Sequence, residues 1–242
     1  MHVLINHTSL FNAFVAIDPS MFWDDQKLLK QATAVLAKNN FESRSLFLAV
    51  ANTMAKGMDT LQVQTDTDMM SLHIRSILQL GHCLAANTKN GLAFNWKYYP
   101  EYDHGAVPLV AAYDAIRSIF AFYNFNFPYR EFFDTAFKAD TILTAHYKIV
   151  SKQMGYKVFP PEQMVNVLGY QLMGSKQFGR AHYFFKMNTD NYPKSFNAYD
   201  SMGDLYDAMS DKKQAIAAYS KALALRDFPD THNKLEQLKK RK

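Results

Sequence analysis

A chain of 242 residues, 48% of them apolar, is long enough to bury one large core or two modest ones. Its formal charge of +5 is concentrated at one end: the stretch 234–242 alone carries a net +4. The remainder is nearly neutral and shows no basic face of the kind that nucleic-acid binding usually needs, so no nucleic-acid partner is expected.

The first elements alternate between short apolar runs and helical patterns. AFVAI (13–17) reads as a buried parallel strand and ends at the turn signal DPS. DDQKLLKQATAVLAKNN follows as a helix, with Asp24 or Asp25 as its cap and Leu28, Leu29, Ala32, Val35 and Leu36 on its apolar face. SLFLAVA (45–51) is a second buried strand, 69–86 a second helix, LAFNWKYY (92–99) a third strand, and 107–123 a third helix. Strand, helix, strand, helix, strand, helix is the pattern of an α/β layer on a parallel sheet. Sites in such sheets form in loops at the carboxyl ends of the strands. Those loops are Asp18–Asp25, Asn52–Asp68 and Pro100–Val107.

From about Pro160 no strand pattern appears. Leu168-Gly169 superimposes on Met202-Gly203, with Leu172 on Tyr206, Ala181 on Ala215 and Phe185 on Tyr219. The step between the matched positions is constant and equals the tetratricopeptide period of about 34 residues. These are the small and bulky positions of tetratricopeptide helix pairs, and Pro193 falls where such a motif ends. The expected organisation is therefore an α/β domain over 1–127, a helical bridge over 128–158, and tetratricopeptide-like repeats over 159–242. The bridge is expected to be helical from 130 to 156, with Phe133, Phe137, Leu143, Ile149 and Val150 on one face.

Cys83 is the only cysteine, so an intrachain disulfide is excluded, and its apolar surroundings read as those of a buried free thiol. No CxxC or HExxH spacing occurs, so the sequence points to no metal and no organic cofactor. No apolar stretch reaches the ~20 residues of a membrane span. The first residues, MHVLINHTSLF, lack the charged and long apolar regions of a signal peptide.

His104 stands in PEYDHGAVPL, directly after the third strand, where Gly105 permits a tight turn. In the α/β-hydrolase order of nucleophile, acid and histidine, the histidine follows the last strand. The segments FNAFVAIDPSMFWDD, SLFLAVANTM, KYYPEYDHGAVPL and YDAIRSIF together resemble the C-terminal half of enterobactin-esterase-like members of the α/β-hydrolase fold, including forms that carry tetratricopeptide repeats. The resemblance covers about 1–127, with the repeats fitting the rest. It implies that His104 is the catalytic histidine and that Trp23 and its neighbours line the mouth of an ester pocket. It also implies a nucleophilic serine in a G-x-S-x-G elbow, a motif that does not occur in these 242 residues. The nucleophile and its oxyanion donors are then expected upstream of Met1, making this chain a truncated portion that is inactive alone. Ser9, Ser20, Ser71 and Ser118 have no Gly-flanked elbow and read as ordinary hydroxyls.

In this arrangement the acid is expected after the second strand. Asp59 is the first carboxylate there, with Gly57 nearby for a turn; Asp66 and Asp68 are alternatives that read better as a helix cap, and Asp103 diverges from its neighbour His104. A sheet beginning at such a point exposes the edge of its first strand, which favours self-association or disorder near 1–12. The other functional reading is a non-enzymatic module, in which the repeats hold an extended peptide against Asn166, Tyr170, Asn197 and Asp200.

Overall fold

The computed structural model describes residues 1–241 and divides into two compact units, Met1–Asn124 and the remainder from Phe125. The first unit runs α1 (His2–Asn6), β1 (Ala13–Ile17), α2 (Trp23–Leu36), β2 (Ser45–Ala51), α3 (Gln62–Thr65), α4 (Leu72–Ala86), β3 (Ala93–Tyr99) and α5 (Val107–Ile119). The three strands form a parallel sheet in the order β1-β2-β3, with Ala13 opposite Ser45 and Ser45 opposite Ala93.

The central strand β2 has neighbours on both sides and helices on both faces, which is why SLFLAVA is apolar at every position after its first. Leu46, Leu48 and Val50 point into one core with Leu29, Ala32 and Leu36 of α2 and Ile74, Ile77 and Leu78 of α4. Phe47, Ala49 and Ala51 point to the other face, against Val107, Ala111 and Ala115 of α5. The alternation follows from the two-residue period of a strand.

The sequence places the three strands almost to the residue. It overstates the burial of β1, where Ala13 and Val15 are exposed and only Ala16 is fully covered. The reason is position: β1 is an outer strand, paired on one side only. Residues 2–6 are helical, with Leu4 and Ile5 in the core. Neither Asp24 nor Asp25 caps α2. Both lie with Gln26 in the left-handed region (φ 50°, 50° and 57°), and their carboxylates pair with Lys27 and Lys30. Asp68 does cap, accepting from the Met70 N–H at the 3₁₀ turn that leads into α4. Cys83 is half-buried.

The second unit is helical: α6 (Ala139–Met154), α7 (Glu162–Gly174), α8 (Phe178–Asn191), α9 (Phe196–Ala208), α10 (Lys212–Leu225) and α11 (Pro229–Lys240). The expected long bridge helix is helical only from Ala139. Residues 129–137 form turns, because the Arg180 guanidinium on α8 donates to the carbonyls of Phe132, Asp134 and Phe137 at 2.9–3.0 Å. Those carbonyls would otherwise belong to a helix ladder. Phe132 is fully buried beside Leu143, Val165 and Phe184, so this stretch is part of the helical core.

The equivalence read from the repeated positions reappears as packing. α7 packs on α8 and α9 on α10. A Cβ built on Gly169 would lie 2.6 Å from the Phe185 ring, and one on Gly203 would lie 2.5 Å from the Tyr219 ring. Each glycine therefore lets one helix of a pair sit against an aromatic of the other, at the same offset along the chain in both pairs. A polar cluster joins the elements further. Asp204 accepts from Tyr170 at 2.6 Å and Tyr219 at 2.8 Å, and Lys234 of α11 pairs with Asp200 and Asp204 at 2.7 Å.

This packing predicts that Gly203→Ala destabilises the chain by about 1–2 kcal/mol, overpacking against Tyr219 outweighing the gain in helix propensity. Gly179→Ala in α8, where a Cβ meets nothing within 4 Å, is expected to be neutral or to stabilise by up to about 1 kcal/mol. Denaturant midpoints of the two variants check the contrast, and a Gly203→Ala chain as stable as Gly179→Ala would refute it.

Candidate functional site

Asp18 is the residue after β1. Its N–H donates to the Ala49 carbonyl, continuing the parallel ladder by one step, and its φ of 42° then turns the chain away. An aspartate is among the few non-glycine residues that accept this conformation. The turn aims the side chain across the carboxyl end of β2, where Oδ1 accepts from the Ala51 N–H at 3.0 Å.

The other oxygen, Oδ2, meets two imidazoles. His104 Nδ1 lies 2.6 Å away and His73 Nε2 2.9 Å away. His104 stands on the loop after β3. That loop is fastened by Asn52, whose N–H donates to Tyr102 and whose amide donates to Pro100, and by Asp103, which accepts from Gly105 and Ala106. His73 lies in the first turn of α4, edge-on to Phe22 at 5.3 Å and to His104 at 5.7 Å between ring centroids.

Exposure separates the three. The Asp18 side chain is 1% exposed, His73 17% and His104 65%. Burial by itself raises the Asp18 pKa, but the hydrogen bonds from His73, His104 and the Ala51 N–H outweigh it and hold the carboxyl below its ordinary value. Asp18 is therefore an anion at neutral pH.

Donation of Nδ1–H to Asp18 fixes the neutral tautomer of His104 and leaves the lone pair on Nε2. Among the described residues nothing hydrogen-bonds that nitrogen, and the ring opens to solvent. An exposed imidazole whose second nitrogen is bonded to a buried carboxylate is the arrangement of a general base with its orienting acid. His73 has the opposite character. Its Nε2–H points to Asp18, and its Nδ1 is buried without a hydrogen-bond partner.

Of the residues singled out in the sequence, His104 is in this cluster and Asp59 is not. Asp59 is exposed, and its Oδ1 accepts from the N–H groups of Leu61 and Gln62 in the turn that leads into the short α3. The carboxylate bonded to His104 comes from the first strand, not the second. Trp23 begins α2, 69% exposed, and touches Phe22 at 6.4 Å between centroids. Ser71 bonds Arg75 and the Asp68 carbonyl, Ser118 accepts from Asn95, and among the described residues no serine hydroxyl bonds His73 or His104.

Of the four residues expected to line a peptide groove, three are hydrogen-bonded within the helical unit, while Asn166 Oδ1 is buried without a hydrogen-bond partner. Tyr170 donates to Asp204, Asn197 to Glu162, and Asp200 holds Lys234 and Thr231. Sequence reasoning missed His73 and the role of Asp18. For Asp18 a signal existed, an aspartate placed at a strand's carboxyl end just before Pro-Ser. His73 sits in an ordinary helical pattern and gave none.

No protein-family model matches the chain, and no curated protein matches it. Among solved structures it is similar to an IroE-like serine hydrolase from Shewanella oneidensis, with a TM-score of 0.57 and 24% identity. The match covers 78% of this chain and 54% of that one, so the chain spans about half the length of the protein it is similar to. The likeness is one of fold: a mixed α/β arrangement with a small parallel sheet.

The cluster predicts a stability effect with a definite pH dependence. Asp18→Asn keeps the acceptor for Ala51 but faces two imidazole N–H groups with an amide, and is expected to cost about 2–3 kcal/mol at neutral pH. Because the folded pKa of Asp18 is lowered, its contribution is complete above the ordinary value of 3.8 and is lost as pH falls through the lowered one. The gap in unfolding midpoint between the two proteins should therefore shrink from about pH 7 to about pH 2. A gap that stays constant would refute the assignment.

Proposed function

We propose that the α/β unit is the C-terminal portion of a serine-type carboxylic ester hydrolase, in which His104 is the general base and Asp18 the residue that orients it. The single observation that carries this reading is the 2.6 Å contact between His104 Nδ1 and a buried, anionic Asp18, with the far side of the ring open. It is supported by the hydrolase-like fold and by the enterobactin-esterase-like sequence around DHGAVP.

In this reading His104 Nε2 takes the proton of a serine hydroxyl as that oxygen attacks the ester carbonyl. It then returns the proton to the leaving alcohol, and the cycle repeats with water to release the acid. Asp18 stabilises the imidazolium that forms between the two transfers. Trp23, large and exposed beside Phe22, offers the apolar surface of the pocket mouth for a small-molecule ester. The serine and its oxyanion donors are supplied by a segment outside this chain. The helical unit, with its regular step of matched positions and its two glycine–aromatic contacts, is a tetratricopeptide-like array.

The chain alone is then expected to hydrolyse a generic p-nitrophenyl ester no faster than buffer. Joined to an upstream genomic segment that encodes a G-x-S-x-G elbow, it should gain activity that His104→Ala lowers by about 10³-fold or more. An upstream segment with no elbow, or a joined protein indifferent to His104→Ala, would overturn the reading.

A further inference from the structure

Asp18, His73 and His104 come from three separate elements, yet they present three ligand atoms within 4.8 Å of one another: one carboxylate oxygen and two imidazole nitrogens. Both rings compete for the same oxygen, at 2.6 and 2.9 Å. A zinc ion with bonds of about 2.0–2.1 Å in tetrahedral geometry holds its donors roughly 3.3 Å apart. The two oxygen–nitrogen contacts are about 0.7 and 0.4 Å shorter than that, a small opening for an exposed ring on a loop, and the two ring nitrogens lie within 4.8 Å of each other. The buried anion supplies the charge.

We propose that this cluster is a divalent-metal site of the zinc class, formed by Asp18 Oδ2, His73 Nε2 and His104 Nδ1, and that its occupation switches the general base off. The switch follows from proton accounting. Each neutral ring carries its proton on the nitrogen that would bind the metal. On binding, that proton moves to the other nitrogen, and no net proton is released. His104 Nε2 then holds N–H in place of a lone pair and accepts nothing from a serine. His73 Nδ1 becomes a buried N–H with no acceptor. A missing outer contact of this kind weakens a metal site by about 10–100-fold, which makes this one exchangeable.

Binding is a property of the three residues alone; the inhibitory consequence rests on the ester-hydrolase reading. The test is a titration of the metal-free full chain with cobalt(II), followed by its visible absorption and repeated with zinc by calorimetry. One saturable site per chain is expected, weakened at least ten-fold in both His73→Gln and His104→Gln and retained in a His2→Gln, His7→Gln double variant, since those two rings form the other close histidine pair. Should His73→Gln fail to fold by circular dichroism, His104→Gln carries the test, because that ring is two-thirds exposed. No saturable site, binding unchanged in both cluster variants, or binding that follows His2 and His7 would overturn the proposal and leave the esterase reading standing. Hydrolysis insensitive to His104→Ala would overturn the esterase reading and leave the metal site standing.

Discussion

The carboxylate of Asp18 is the constraint on which the α/β unit's site depends. A charge removed from water survives only if its lone pairs are satisfied. Three donors do this: a backbone N–H at the end of β2, a ring from α4 and a ring from the loop after β3. The parallel register brings the ends of β1, β2 and β3 side by side, so these donors arrive together. One anion thus ties three elements together at the carboxyl end of the sheet. It also gives His104 its tautomer, which converts an exposed histidine into an oriented one.

The helical unit rests on a different principle. Gly169 and Gly203 are not there for backbone freedom, since both lie within helices. They are there because an aromatic ring occupies the space a methyl group would take. Close approach of the paired helices then buries Phe185 and Tyr219 almost completely. The Asp204 carboxylate receives the hydroxyls of Tyr170 and Tyr219, whose phenol pKa values burial pushes upward, so both remain donors. The polar residues a groove would present to a partner are largely committed to neighbouring helices.

Much of the fold was legible in the sequence because its signals are local. The β2 run is apolar at nearly every position because both faces are covered, and the repeated step is visible wherever small and bulky residues recur. The errors have physical causes. β1 looked buried because apolar composition does not report whether a strand is central or outer. The stretch 129–137 looked helical because nothing local to it announces that Arg180, far along the chain on α8, claims its carbonyls. Asp24 and Asp25 looked like caps, and the left-handed turn places them elsewhere.

The sequence by itself determined the order of strands and main helices, the parallel sheet, the helical character of the second unit and the place of His104 after the third strand. These follow from periodicity, and periodicity is set by neighbours along the chain. Only the tertiary structure decided which carboxylate His104 meets, and that His73 meets it too. Asp18, His73 and His104 lie far apart along the chain, at a spacing with no motif in it. The turn at Asp18 and the parallel pairing of three strand ends bring them to one point. That convergence is a property of the folded sheet's geometry, and no local pattern encodes it.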